Sequence, residues 1–238
     1  MKKLIFMLCI LVFSGCDKLL FKEGVPPRGY ETKEFSLSNF DRVELNNAFY
    51  VTIKKASISK ISAKGSGDDL DDLEVIVTNG KLDIRYDDRI RIKKPQRYKM
   101  EIEISTPNLV ELEGKSASDT EISGFEMYTN FTAKISGASV LRLKNTVNNL
   151  TASITGASKV ILPLQVTKID AEISGASSLD AFDSNSTEAY LELSGASRAE
   201  LSVSKTLSIK ASGASKVSYK GNPEVKEDLS GASKVVKK

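Results

Sequence analysis

The chain has 238 residues, 40% apolar and 27% charged, enough for a packed core in one large domain or two ordinary ones. It contains no histidine, which removes the commonest general base and the commonest metal ligand, and its two cysteines, Cys9 and Cys16, leave the body without a disulfide framework or a Cys/His zinc cluster. The formal charge of +3 includes Lys2 and Lys3, which stand in a segment expected to be removed; the remaining +1 gives no electrostatic case for a nucleic-acid partner, and no residue pattern asks for a cofactor.

Lys2 and Lys3 are followed by ten apolar residues, Leu4 to Phe13, and then by Ser14, Gly15 and Cys16. A positive start, a short apolar centre and small residues form the pattern of a secretory signal. Ten residues rise about 15 Å as a helix, half of a bilayer core, so the run is too short for a membrane span. Phe13-Ser14-Gly15-Cys16 resembles the bacterial lipobox, with Phe13 where leucine is usual. The resemblance implies that residues 1–15 are a lipoprotein signal peptide and that Cys16 carries acyl chains anchoring the protein to a membrane. Residues 16–33 contain Pro26, Pro27 and two glycines without a sustained period, and read as the lipid-anchored tether. Leu19, Leu20 and Phe21 are alternatively suited to lie against the membrane surface.

From residue 34 the apolar residues alternate. Val43 and Leu45, then Val51 and Ile53, occupy every second place, the period of a half-buried strand. Leu73–Thr78 and Lys81–Tyr86 flank Asn79-Gly80, a dipeptide that accepts the positive φ angles of a two-residue hairpin turn. Tyr98–Ile104 is a further strand. The segment Gly65–Asp72 packs four aspartates, but their spacing matches no calcium-loop pattern, and the reading is a solvated turn before a strand.

A repeat dominates the second half. Ser-Gly-Ala-Ser, once Thr-Gly-Ala-Ser, recurs with its glycine at 137, 156, 175, 195, 213 and 231, at intervals of 19, 19, 20, 18 and 18, and Lys115–Ser118 is a degenerate earlier copy. Apolar residues hold fixed offsets from the glycine, for example Ile135, Ile154, Ile173 and Leu193 two places before it; in the last copy Glu227 stands where the others carry Ala133, Ala152, Ala171, Leu191 and Ile209. Such a unit cannot enclose a core alone and must stack on its neighbours. Eighteen to twenty residues are too few for a four-stranded propeller blade and suit one coil of a parallel β-helix. The expected architecture is an all-β, right-handed parallel β-helix, or solenoid, with about six repeats from about 115 to 238, within a single domain spanning 34–238.

In this architecture the glycine permits a sharp bend, alanine is expected in a tight interior corner, and the hydroxyls form ladders or satisfy turn amides. The alternative for the serine rows is a sugar-binding track. Three places after the glycine stand Val140, Lys159, Ser178, Arg198, Lys216 and Lys234. The basic members, Lys159, Arg198, Lys216 and Lys234, form a candidate column facing an anionic glycan or lipid head group; the alternative is simple solvation with protection of sheet edges. No capping pattern follows the last repeat, so terminal lysines shield the open end or the ends pair as an end-to-end homodimer.

Phe40–Leu45, Val51–Ile53, the Asn79-Gly80 turn and the repeat array together resemble the head GIN domain family of auto-transporter adhesin-like envelope proteins, over about residues 34–235. The resemblance implies a β-helix-like fold and an adhesin-like binding role in a Bacteroidetes cell envelope, with an envelope glycan or another envelope protein as partner and no catalytic residues. A single acid, Asp17, after Cys16 differs from the acidic run of surface-export signals and points to the outer membrane with the domain facing the periplasm. The competing class is a β-helix enzyme acting on polysaccharide, a lyase or hydrolase, for which Asp170, Asp180 and Asp183 are the nearest carboxylates.

Overall fold

The computed structural model describes residues 21–87, 96–125, 127–162 and 165–238; Cys16 and the signal segment lie outside them. The first strands are β1 (Tyr30–Phe35), β2 (Arg42–Leu45), β3 (Tyr50–Lys55) and β4 (Lys60–Ser66), followed by a short helix, α1 (Gly67–Asp71). Then come β5 (Leu73–Thr78), β6 (Lys81–Tyr86), β7 (Glu101–Thr106), β8 (Glu111–Gly114) and β9 (Asp119–Ser123). The repeat zone holds β10 (Met127–Ile135), β11 (Val140–Leu143), β12 (Thr146–Ile154), β13 (Lys159–Ile161), β14 (Val166–Ile173), β15 (Ser178–Leu193), β16 (Arg198–Ala211), β17 (Lys216–Lys220), β18 (Glu224–Leu229) and β19 (Lys234–Lys237).

These strands form the expected parallel β-helix. Strands ending at the Ser-Gly-Ala-Ser corners stack in one face, in the order β8, β10, β12, β14, β15, β16, β18. Strands leaving the corners stack in a second face, in the order β9, β11, β13, β15, β16, β17, β19. Strands β15 and β16 are long enough to serve both faces, with register shifts between Ala181 and Asn185 and between Ser186 and Glu188.

The core lies between the faces, and its composition follows from their close approach. Each of five coils places three inward residues before its corner: Phe131, Ala133, Ile135; Leu150, Ala152, Ile154; Ile169, Ala171, Ile173; Ala189, Leu191, Leu193; Leu207, Ile209, Ala211. All fifteen are buried, and every triplet contains one alanine. The alanine is central in the first three coils, first in the fourth and last in the fifth, and the last four triplets each pair it with two leucine- or isoleucine-sized side chains, as close packing demands. The last coil breaks the rule: Val225, Glu227 and Leu229 occupy the same columns, Glu227 is exposed and Leu229 is 39% exposed. Lys237 likewise stands in register with Tyr219. Charges in inward columns blunt a sheet edge against further pairing.

The first half threads differently. β2 lies between β6 and β8, and β3 between β7 and β9, all parallel, so early strands are inserted among later ones. Antiparallel strands then terminate the stack: β5 pairs with β6 through the expected Asn79-Gly80 turn (φ 50° and 75°), and β4 pairs with both β7 and β1. β1 begins at Tyr30, four residues before the expected boundary at 34, and Phe21 already bridges to Arg97. The residues expected as tether are therefore partly held on the body.

The aspartate-rich segment is only half the solvated turn expected: Asp68 and Asp71 face solvent, but Asp69 and Asp72 do not. Asp69 is 4% exposed, accepts from Arg97 Nη1 at 2.9 Å and from the Tyr98 amide at 2.9 Å, and Arg97 also pairs with Asp72. The Arg97 guanidinium lies 4.2 Å from the Tyr86 ring centre. Burial pulls this guanidinium down, but its hydrogen bonds to Asp69 and Asp72 outweigh that and raise it, so the charge persists. Among the described residues no group of acids is arranged to hold a metal ion.

Candidate functional site

The corners repeat one backbone conformation. All six glycines have φ between 69° and 79°, and from the second corner on the amide of the following alanine donates to the glycine carbonyl one coil back, for example Ala176 to Gly156 at 2.8 Å. A Cβ at Gly175 would stand 2.4 Å from that same carbonyl oxygen. Glycine is required twice over, by φ and by the coil spacing.

Side-chain directions at the corner reverse one expectation. The alanines, Ala138, Ala157, Ala176, Ala196, Ala214 and Ala232, are exposed, whereas the serines after them, Ser139, Ser158, Ser177, Ser197 and Ser215, are at most 1% exposed. The reason is polar satisfaction. The Ser139 amide donates to Ser158 Oγ at 3.3 Å and the Ser158 amide to Ser177 Oγ at 3.2 Å, while the Ser197 hydroxyl donates to the Ser194 carbonyl at 2.8 Å. Corner amides that no strand can pair are met by these hydroxyls. This serine row is internal.

The other hydroxyl row faces out. Thr155, Ser174, Ser194, Ser212 and Ser230 line one wall of a groove of about 280 Å³ running across the coils, and Ser153, Glu172, Glu192, Lys210 and Asp228 line the other. Tyr190 is 40% exposed and donates to Glu192 at 2.6 Å, a bond that pushes its phenol above the usual value. Glu172 and Glu192 are in register on adjacent strands, hence side by side on one wall. Of the three carboxylates considered for an enzyme, Asp170 is on the first face beside Tyr190, Asp180 is on the second face and pairs with Lys159 at 3.5 Å, and Asp183 is exposed between them on β15.

The basic column forms on the second face. Val140, Lys159, Ser178, Arg198, Lys216 and Lys234 are consecutive partners in register. Four cations elsewhere meet acids of a neighbouring coil: Lys134 with Glu111 at 2.9 Å, Lys144 with Glu121 at 2.8 Å, Arg142 with Asp119, and Lys115 with Glu44 at 2.8 Å. Arg198, Lys216 and Lys234 are exposed, stack on three successive strands about 4.8 Å apart, and have no ion pair among the described residues. Glu200 follows on the same strand as Arg198, but Ser218 and Val236 occupy that place beside Lys216 and Lys234. Like charges in register repel, so this column is costly to the fold and suited to an anion.

The model of the family described as "Putative auto-transporter adhesin, head GIN domain" matches residues 39–223. The fold is similar to a crystal structure titled a putative adhesin from Bacteroides fragilis, with a TM-score of 0.77 and 16% identity over 90% of this chain and 99% of that one. A putative lipid binding protein from Parabacteroides distasonis gives a TM-score of 0.72 and 19% identity over 91% of this chain and 100% of that one. A putative adhesin from Parabacteroides merdae gives 0.62 and 14% identity, covering 90% of this chain and 98% of that one. No protein of curated function matches by sequence. At these identities the solved structures establish the shared fold.

Proposed function

The chain belongs to the head GIN domain family, and from that premise we propose that it is an exported lipoprotein, acylated on Cys16, whose β-helix serves as a non-catalytic, adhesin-like binding module of the cell envelope. Its ligand is an extended anionic glycan lying along Arg198, Lys216 and Lys234, with Lys159 at the near end of the row. The observation that carries this reading is the contrast within one surface. Lys115, Lys134, Arg142 and Lys144 are each neutralised from a neighbouring coil, whereas these three cations stack in register with no ion pair among the described residues. An extended polysaccharide with one carboxylate or sulfate per sugar advances by a step close to the strand spacing, so successive anions meet successive coils.

The test is binding of the body to polygalacturonate and to an uncharged glucan, with reducing ends assayed in parallel. Binding confined to the polyanion, weakening with salt and falling about tenfold to a hundredfold in Arg198→Glu/Lys216→Glu/Lys234→Glu, supports the reading. Equal binding by the variant overturns it, and new reducing ends would establish a glycan-cleaving enzyme instead. Anchoring is tested by fractionating Cys16→Ser, which should leave the membrane or remain unprocessed. The outer membrane with a periplasm-facing body remains the proposed location.

A further inference from the structure

The first described residues are fastened to the body rather than trailing from it. The Lys22 amide donates to the Arg97 carbonyl at 2.7 Å, the Phe21 ring lies 5.6 Å from that of Tyr50, and Lys22 Nζ lies 5.3 Å from the Tyr98 ring centre. Beside them Tyr30, Lys64, Lys99 and Glu101 line a recess of about 260 Å³. Tyr30 is 52% exposed, and Lys99 Nζ stands 4.4 Å from the Tyr50 ring centre. Glu101 is held by Lys99 at 2.7 Å and stands in register with Lys64 on the neighbouring strand, while Lys22 lies next to the recess, over the Tyr98 ring. Val25, 83% exposed, is the most exposed large apolar side chain among the described residues. Lysines with tyrosines, apolar along their stems and rings and polar at their tips, are the side chains that settle at a lipid headgroup layer.

Chain length places this patch. Only Asp17, Lys18, Leu19 and Leu20 separate Cys16 from Phe21, so a fully extended chain spans about 18 Å at most. The headgroup layer itself is roughly 5–7 Å deep on each side of the hydrocarbon core. An acylated Cys16 therefore holds Phe21 within about one further headgroup thickness or two of the bilayer surface.

We infer that the face carrying Lys22, Tyr30, Lys64 and Lys99 is a membrane-contact surface that takes anionic phospholipid headgroups of the same bilayer that holds the acyl chains. The inference rests on the proposed anchoring of Cys16. The occupant is the bilayer because the tether cannot carry this face away from it, and the charge matches an anionic surface, where each added lysine contributes measurably to attraction.

The acylated full chain is reconstituted into vesicles of phosphatidylcholine, with or without phosphatidylglycerol. The body has no cysteine of its own, so Val25→Cys and Ala232→Cys provide single thiols for an impermeant maleimide. Phosphatidylglycerol should slow labelling at Val25→Cys about tenfold and leave Ala232→Cys unchanged, and Lys22→Gln/Lys64→Gln/Lys99→Gln should restore the Val25→Cys rate. Unchanged melting of the triple variant separates lost contact from lost fold. Labelling at Val25→Cys that ignores phosphatidylglycerol in a chain shown by mass to be acylated overturns the inference alone. A mature chain without acyl groups overturns the anchoring reading and this inference with it.

Discussion

Replacing Gly175 by alanine tests the corner geometry quantitatively. At φ +77° a side chain costs about 1–2 kcal/mol relative to glycine. The new Cβ would also lie 2.4 Å from the Gly156 carbonyl oxygen, which already accepts from the Ala176 amide at 2.8 Å. Relieving that contact must open the coil spacing and weaken the bond, whose net contribution is about 0.5–1.5 kcal/mol. The total is about 1.5–3.5 kcal/mol, a fall in melting temperature of roughly 3–14 °C for a body of this size, read by circular dichroism. Ala176→Ser, one residue on and exposed, should stay within about 0.5 kcal/mol of the parent. Gly231→Ala should cost less, because its closest contact is 2.8 Å rather than 2.4 Å. A Gly175→Ala protein that melts with the parent would refute stacked corners as the source of the glycine requirement.

Ser197 is 0% exposed and donates at the corner, so Ser197→Ala should lose about 1–2 kcal/mol in chemical denaturation, and an equal loss from the exposed Ser194→Ala would contradict the inward assignment. Burial pushes the Glu44 carboxyl up, but hydrogen bonds from Lys115, Lys81 and Asn46 outweigh it and hold the group at about 2 against an ordinary 4.5. Its contribution is complete above the unfolded value, near pH 4.5, and is lost as pH falls toward 2; urea titrations of Glu44→Gln should show a flatter acid limb, and an unchanged limb would reject the assignment. Glu227→Leu with Lys237→Leu removes the inward charges of the last coil and should raise the end-to-end dimer fraction in light scattering, whereas no rise would argue against their role as edge blockers.

The repeat half is legible in the sequence because parallel coils in register translate one offset into one spatial column. The fixed places of Ile135, Ile154 and Ile173, and of Lys159, Arg198 and Lys216, become stacks without further assumption. The Asn79-Gly80 hairpin is legible for the local reason that its turn needs two positive φ values. The capped half is not. Arg42 pairs with Glu111 and Tyr50 with Asp119, contacts whose sequence separation leaves no period to read. Asp69 looks like one of four solvated acids until Arg97, distant in sequence, is seen beside it. At the corner the hydroxyls meet turn amides as expected, but the alanine expected inside lies outside. At a bend the decisive need is for acceptors to meet unpaired amides, so Ser139 turns in and Ala138 turns out. The missing partners of the basic column require three-dimensional register, since a run of lysines alone is equally a solvated face.

A cysteine pair measures directly whether neighbouring corners lie over one another. In the body, which contains no other thiol, Ala157 and Ala176 are exposed equivalents on adjacent coils about 4.8 Å apart, inside the range a disulfide spans, whereas Ala157 and Ala196 are two coils apart and outside it. Mild oxidation should close Ala157→Cys/Ala176→Cys completely without lowering its melting temperature and leave Ala157→Cys/Ala196→Cys with two free thiols. Closure of the distant pair, or none in the adjacent one, would contradict the stacked coil on which the basic column and its proposed ligand rest.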